Sequence, residues 1–244
     1  MTAPLIAVAH GSRDPRAAAT VRALLDRVRL ARPGLPVRES YLDHAPPTPA
    51  RVLSGLPEAV VLPLLLTAAY HSRVDIPQAL REVRGTRIRY GETLGPHPLL
   101  VRALERRLAE AGVAVGDPEE VARTAVVLVA AGSSDRRANE VIARIARRWA
   151  RERGWWAVAP AYASAAGPRP GTAVARLLRA GAPRVVVAPY LLAPGYFADR
   201  VRGETLAAGA AAVGGVLGAA PELAAVVLER YDEALAAGPL AVPA

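Results

Sequence analysis

The chain has 244 residues, 52% of them hydrophobic, with no cysteine and a formal charge of +9. The lack of cysteine excludes disulfides, thiolate metal ligands and cysteine nucleophiles, so His, Asp and Glu are the candidate ligands for a metal. No apolar run approaches the roughly 18 uncharged residues that a membrane span needs, and the N-terminus lacks the basic region of a signal peptide. We therefore expect a cytoplasmic protein that does not bind membranes.

The positive charge comes from 31 Lys and Arg against 22 Asp and Glu. A basic chain can bind nucleic acid. Here, however, the arginines are spread along predicted helices and lack the interleaved exposed aromatic residues on which a single-strand binder stacks bases. The charge fits an anionic small molecule equally well, and we expect no nucleic-acid partner.

Strands and helices alternate along the first half of the chain. The buried apolar run Leu5 to Ala9 predicts the first strand, and a helix then begins at Asp14-Pro15 and ends at Pro33-Gly34. Three more strands are predicted, at Val37 to Leu42, Ala59 to Leu66 and Thr86 to Tyr90. This alternation favours an α/β fold in which a parallel sheet of about four strands is flanked by helices.

The second half repeats the first. The segment AVVLVAAG at residues 125–132 repeats IAVAHG, and VVVAPYLL at residues 185–192 repeats VVLPLLL. Small and turn-forming residues lie between the two copies. We therefore predict two similar domains, residues 1–115 and residues 120–244.

The differences between the two copies indicate which residues carry the chemistry. All four histidines lie in the first half. If they served folding, the second copy, which has the same strands and turns, would need them too. When the two halves of the sequence are aligned, the first-half residues His10, His71, His97 and Glu92 correspond to Ala131, Phe197, Ala220 and Gly215.

Two of these histidines follow predicted strands. His10 comes at the end of the first strand, and His71 comes after the third strand and a short loop. Because ligands bind outside the carboxyl ends of parallel strands, we expect both imidazoles at one site. Imidazole binds divalent metals and accepts protons near neutral pH. The neighbouring groups that could bind an anion are the arginines Arg13, Arg16 and Arg73 and the helix starts at Ser12 and Ser72.

Structural explanations for these residues stay open at this point. His10 or His71 could be a turn histidine whose hydrogen bonds are satisfied locally. His97 lies between two prolines and could cap the last helix of the half, and His44 is interpreted as a surface turn residue. Surface ion pairs with neighbouring aspartates are the alternative for two of the arginines, Arg13 and Arg73.

Three motifs in combination resemble the sirohydrochlorin chelatase (CbiX/SirB) family of class II chelatases, in its long, duplicated form. They are Ala-His-Gly-Ser-Arg-Asp near the N-terminus, Pro-Leu-Leu-Leu-Thr-Ala-Ala-Tyr-His further on, and then Leu-Gly-Pro-His-Pro. The resemblance covers the whole chain. It implies a lyase that inserts Co²⁺ or Fe²⁺ into sirohydrochlorin, an octacarboxylate tetrapyrrole, without ATP, in sirohaem or cobalamin biosynthesis.

By position, the resemblance implies that His10 and His71 bind the metal and act in catalysis. The second half departs from the motifs and is expected to close the active cleft opposite the first half. The metal is a substrate, no nucleotide cofactor is expected, and a monomer is favoured. The candidates for binding the tetrapyrrole are Ser12, Arg13, Arg16, Tyr70, Ser72, Arg73, Glu92 and His97.

Two other functions are consistent with the same sequence. A carrier would bind a metal or a tetrapyrrole in the same cleft without accelerating metal insertion. A basic nucleic-acid-associated protein would bind DNA with a steep salt dependence that does not involve His10. The sequence does not choose the metal, because two imidazoles accept Co²⁺, Fe²⁺, Ni²⁺ and Zn²⁺ alike.

Overall fold

The computed structural model describes residues 2–68 and 74–237. The chain divides into two compact units, which are Met1–Leu99 with Ala219–Ala244 (unit 1) and Leu100–Gly218 (unit 2). None of the helices in the described part is long and apolar enough to cross a membrane.

The first half of the chain alternates strands and helices as predicted. In chain order its elements are β1 (Leu5–Ala9), α1 (Pro15–Ala31), β2 (Val37–Tyr41), α2 (Pro49–Leu53), β3 (Glu58–Pro63), α3 (Ile76–Arg81), β4 (Arg87–Tyr90) and α4 (Pro98–Glu110).

The sheet of unit 1 is parallel, with the strand order β2-β1-β3-β4. Ala9 of β1 pairs with Tyr41 of β2, and Val8 pairs with Pro63 of β3. Every residue of β1 is buried, as expected of a central strand covered by helices on both faces. Because all four strands are parallel, the segments that follow them lie at one edge of the sheet. We call this edge the carboxyl edge of unit 1.

The second half repeats this arrangement. Its elements are α5 (Pro118–Ala122), β5 (Thr124–Ala130), α6 (Arg136–Arg153), β6 (Ala157–Tyr162), α7 (Pro170–Arg179), β7 (Arg184–Tyr190), α8 (Tyr196–Ala207), β8 (Ala212–Val213) and α9 (Pro221–Ala237). The sheet of unit 2 is parallel with the order β6-β5-β7-β8, equivalent to the order in unit 1. The prediction of two similar α/β sheets of four strands is confirmed.

The packing units differ from the predicted domains at the last helix of each half. Most of α4 belongs to unit 2, where Glu105 accepts a hydrogen bond from the Trp149 indole at 2.9 Å and the Arg107 guanidinium donates to the Leu217 carbonyl. Helix α9 belongs to unit 1 and packs on α1, β3 and β4. The domains at 1–115 and 120–244 therefore describe the sequence repeat. In the packing, most of α4 belongs to the unit of the second half, and α9 belongs to the unit of the first half.

One predicted strand ends earlier than expected. The apolar run suggested a strand to Leu66, but β3 ends at Pro63. The Leu64 N–H still donates to the Val8 carbonyl at 2.8 Å, so the chain leaves the sheet only after this last contact with β1. The chain then leads from Leu64 toward Ala68, at the carboxyl edge.

Candidate functional site

His10 lies directly after β1, with its residue exposed to solvent. Its carbonyl accepts a hydrogen bond from the Asp43 N–H at 3.0 Å, and the carbonyl of Ala9 accepts one from Leu42 at 3.1 Å. The segment after β2 is therefore fastened to the segment after β1. This places residues 42–44 beside His10.

A second imidazole, that of His44, lies next to His10. The two ring centroids are 6.3 Å apart, and the rings are nearly perpendicular at 85°. Asp43 holds His44 through two contacts: its Oδ1 accepts the backbone N–H of His44 at 2.7 Å, and its Oδ2 lies 3.3 Å from the His44 Nε2. The turn at His44 is as predicted, but its closeness to His10 comes from the pairing of two strands.

The same turn exists in unit 2 without the histidines. There the Ala131 carbonyl accepts from Ser164 at 2.8 Å, as the His10 carbonyl accepts from Asp43. His44 has a φ of 64°, and Ala165, which occupies the equivalent position, has a φ of 53°. The backbone of the turn therefore needs neither imidazole. Comparing residue 44 with residue 165 in the repeat would have identified His44 from the sequence.

Gly11 makes the close approach of the two segments possible. Its φ is +96°, and a Cβ built at this position would lie 1.7 Å from the Asp43 carbonyl oxygen. Gly132 in unit 2 has a φ of +89°, with the Ser164 carbonyl oxygen at 2.0 Å from such a Cβ. Only glycine fits both the conformation and the contact.

The predicted anion-binding residues after β1 have mixed roles. Asp14 caps α1 by accepting the Arg16 N–H at 2.9 Å, and the Ser12 hydroxyl accepts the N–H of Asp14 at 3.1 Å. The Arg16 guanidinium forms an ion pair with Asp14 at 2.6 Å, and this hydrogen-bonded pairing lowers the pKa of the Asp14 carboxyl. Arg13 is exposed at the surface of the same loop. A ligand carboxylate would have to compete with Asp14 for Arg16, but it could reach Arg13 directly.

A cavity of about 360 Å³ lies at the ends of β3 and β4. Glu92, directly after β4, lines this cavity and is exposed. Tyr90 also lines it, and burial, followed by the nearby Glu92 carboxylate, raises the pKa of the Tyr90 hydroxyl. The remaining lining residues are Pro63, Ala68, Pro77, Gly91 and Thr93.

His97 is used within the fold of unit 1. Its Nδ1 accepts the N–H of Leu99 at 3.2 Å, near the start of α4, and its Nε2 lies 2.9 Å from a carboxylate oxygen of Glu229 on α9. Both ring nitrogens therefore have protein partners. These contacts match the alternative interpretation of His97 as a helix cap.

Four predicted site residues lie outside the described residues: Tyr70, His71, Ser72 and Arg73. Across residues 2–68 and 74–237, no group of three or more His, Asp and Glu side chains could hold a metal ion. The described part of the candidate site thus consists of the His10–His44 pair with Asp43 and of the cavity beside Glu92.

Comparison with known proteins identifies the family. The CbiX family model matches residues 4–111 and, a second time, residues 125–234. The chain belongs to the CbiX family. The two matches coincide with the two copies seen in the sequence, which confirms the duplicated form.

Curated relatives of this CbiX chain bear chelatase names. It is 31% identical over 214 residues to the sirohydrochlorin ferrochelatase of Bacillus subtilis (strain 168), covering 84% of this chain and 79% of that protein. It is 29% identical over 208 residues to the sirohydrochlorin cobaltochelatase of Priestia megaterium, covering 80% of this chain and 65% of that protein. The match therefore spans slightly less than two thirds of the cobaltochelatase.

Solved structures show the same two-sheet CbiX fold. SirB from Bacillus subtilis with Fe³⁺ matches with a TM-score of 0.79 and 25% identity, covering 96% of each chain. SirB from Bacillus subtilis subspecies spizizenii in complex with cobalt matches with a TM-score of 0.75, 22% identity and coverage of 96% and 95%. The second likeness, at this low identity, concerns the fold alone.

Proposed function

We propose that this protein is a chelatase that inserts a divalent metal, Co²⁺ or Fe²⁺, into sirohydrochlorin. The observation that carries the proposal is the exposed imidazole of His10 at the carboxyl edge, 6.3 Å from the imidazole of His44. Family membership and the names of the curated relatives supply the substrate class. The proposal includes independence from nucleotides, so added ATP should not change the rate.

The reaction exchanges protons for a metal. A dication enters the macrocycle, and the two pyrrole N–H protons leave, so the site needs groups that release a cation and accept protons. Neutral imidazole does both, since it binds first-row divalent metals and has a pKa close to neutral. We assign these roles to His10 and His71. Such a site, without thiolates, holds its metal weakly enough to transfer it.

His44 is the third imidazole of the proposed site. If its Nε2–H donates to Asp43, its Nδ1 keeps a lone pair that can bind a cation, as when a carboxylate orients a metal-binding histidine. His44 would then take the incoming cation together with His10, and Asp43 would fix the orientation of its ring.

Glu92 and Arg13 suit different parts of the tetrapyrrole. A carboxylate repels the carboxylates of the substrate, so Glu92 is suited to accept hydrogen bonds or protons from the macrocycle N–H groups. Arg13, on the exposed loop after β1, is suited to bind a carboxylate. Arg16 contributes positive charge, but its guanidinium is already engaged by Asp14.

Anaerobic metallation of sirohydrochlorin, followed by absorbance with Co²⁺ and Fe²⁺ separately, tests the proposal. We expect the wild type to accelerate insertion and His10→Ala and His71→Ala to abolish the acceleration while the circular dichroism spectrum stays unchanged. Ala131→Ser, at the position of unit 2 equivalent to His10, is the matched control and should keep wild-type activity. Full activity in His10→Ala would overturn the proposal.

The same experiment separates catalysis from transport. A carrier would bind sirohydrochlorin and metal tightly and leave the insertion rate at its value in free solution. A nucleic-acid-associated protein would bind DNA and show neither effect. We also propose that the protein acts as a monomer, which sedimentation at working concentration tests; its cytoplasmic location stays a prediction.

A further inference from the structure

Two aromatic side chains are exposed side by side in unit 2. Tyr196 and Phe197 begin α8, in the segment that follows the carboxyl end of β7. They are 72% and 40% exposed, and their ring centroids are 5.8 Å apart with a tilt of 56°. Exposure of such large apolar surface at adjacent residues stabilises the fold little, and it is typical of a surface that binds another molecule.

A guanidinium is fixed against both rings. The Cζ atom of Arg200 lies 5.4 Å from the centroid of Tyr196 and 5.6 Å from that of Phe197, within the range of cation–π contact. Arg200 also donates to the Ala163 carbonyl, which accepts a second hydrogen bond from Arg169 at 2.6 Å. Two positive charges therefore converge next to the aromatic pair, at the end of β6. We call Tyr196, Phe197 and Arg200 the aromatic–arginine surface.

The internal repeat shows what this surface replaces. In the sequence, Tyr196 and Phe197 occupy the positions of Tyr70 and His71 in the first half. The second copy thus keeps a tyrosine and exchanges the imidazole for a phenyl ring. A phenyl ring cannot bind a metal or accept a proton, but it offers an apolar face for stacking.

We propose that the aromatic–arginine surface binds the tetrapyrrole, and this inference rests on the proposed function. The conjugated macrocycle has an apolar face that suits the two rings, and its rim carries carboxylates that suit the guanidiniums of Arg200 and Arg169. The complementarity is thus of two kinds, apolar with apolar and anionic with cationic. This assigns unit 2 a part in the affinity for the tetrapyrrole.

Titration of metal-free sirohydrochlorin into the full-length protein, followed by absorbance, tests this inference. Since stacking on one aromatic side chain contributes about one power of ten to affinity, we expect Tyr196→Ala and Phe197→Ala each to raise the Kd about tenfold. Tyr196→Phe should retain most of the affinity. Leu206→Ala is the matched control, because Leu206 is on the same helix and 44% exposed, and it should bind as the wild type does.

The variants should affect the two substrates differently. The KM for sirohydrochlorin should rise in step with the Kd, whereas affinity for Co²⁺, measured without tetrapyrrole, should stay at the wild-type value. Arg200→Gln should weaken binding and reduce its dependence on salt, since one charged contact is lost.

Failure of this inference can be told apart from failure of the proposed function. If the wild type metallates sirohydrochlorin but the double variant Tyr196→Ala/Phe197→Ala binds it with wild-type affinity, this inference alone is overturned. An equal loss in Leu206→Ala would also overturn it, because the effect would not be specific to the surface. A wild type that neither binds nor metallates sirohydrochlorin would overturn both.

Discussion

His44 is the residue at which a local turn and a candidate site coincide. Its left-handed backbone recurs at Ala165, where the side chain is a methyl group. The turn therefore accepts alanine, and the histidine side chain can be removed without disturbing the strand ends that position His10. This makes His44 unusually suitable for a functional test.

We expect His44→Ala to keep the melting temperature of the wild type and to weaken Co²⁺ binding at least about tenfold, because losing even a group that only supports a metal ligand has an effect of this size. Isothermal titration with Co²⁺ measures the effect. Asp43→Asn should give a smaller loss, because the amide can still accept from the His44 backbone N–H. Unchanged Co²⁺ affinity in both variants would show that Asp43 and His44 serve only the structure of the turn.

Gly11 tests how strongly the site depends on the approach of two backbone segments. A Cβ there would lie 1.7 Å from the Asp43 carbonyl oxygen, so Gly11→Ala must separate the segments that carry His10 and His44. We expect a loss of at least about 3 kcal/mol in the free energy of unfolding, measured with urea.

Gly34→Ala is the control for backbone strain. Gly34 has a φ of +88° but nothing within 4 Å of a built Cβ, so only the left-handed conformation opposes alanine. The expected loss is about 1 kcal/mol. Equal losses of unfolding free energy in Gly11→Ala and Gly34→Ala would show that the backbone near Asp43 moves easily and that the close contact does not add to the cost of the left-handed conformation.

At the scale of elements, an ion pair joins α9 to the end of α1. The Arg32 guanidinium donates to both carboxylate oxygens of Asp232, at 2.6 and 2.8 Å, and stacks over the Tyr231 ring at 5.7 Å. Tyr231 is itself buried and donates its hydroxyl to the Ala3 carbonyl at 2.6 Å. The hydrogen bonds from Arg32 lower the pKa of Asp232 below its usual value of 3.8, although burial opposes the shift.

This lowered pKa predicts an acid-dependent contribution to stability. The carboxylate stabilises the folded state above the pKa of the unfolded chain, and the contribution is lost as the pH falls through the lower folded pKa. Between about pH 5 and pH 3, the wild type should therefore lose unfolding free energy more steeply than Asp232→Asn. Because the pair is partly exposed, the difference should shrink in high salt. Parallel pH profiles would contradict the prediction.

At the scale of the whole molecule, the duplication gives two units with the same strand order but different side chains at the ends of their strands. Unit 1 contains the histidines, and unit 2 has the equivalent strand order and turns with alanine or phenylalanine at the corresponding positions. The boundaries of the units do not follow the sequence repeat, because α9, the last helix of the second copy, packs in unit 1.

We expect a chain that ends at Gly218 to lose the cooperative folding of unit 1. Helix α9 buries Leu223, Val226, Val227 and Tyr231, and it packs on α1, β3 and β4. Hydrogen exchange should show lost protection in β1 and β3 but retained protection in β5 and β7. A chain that ends at Ala237 is the control and should be protected like the full chain. Retained protection of β1 after removal of α9 would contradict the assignment of this helix.

The sequence by itself determined the alternating α/β elements, the duplication and the location of His10 after a buried strand. These features follow from local information, namely apolar runs, caps such as Asp14 and turn residues such as Gly11, and from comparison of one half with the other. The interpretation of His97 as a cap was also available, because His97 directly precedes the proline at which α4 begins.

Only the tertiary structure decided which neighbours these residues have. The closeness of His44 to His10 depends on the pairing of β1 with β2, and the engagement of Arg16 by Asp14 depends on a side-chain conformation. The assignment of α4 and α9 to their units likewise depends on packing. The sequence of an amphipathic helix shows that one of its faces must be buried. It does not show against which sheet, because that depends on complementary shape and on contacts between residues far apart in the chain.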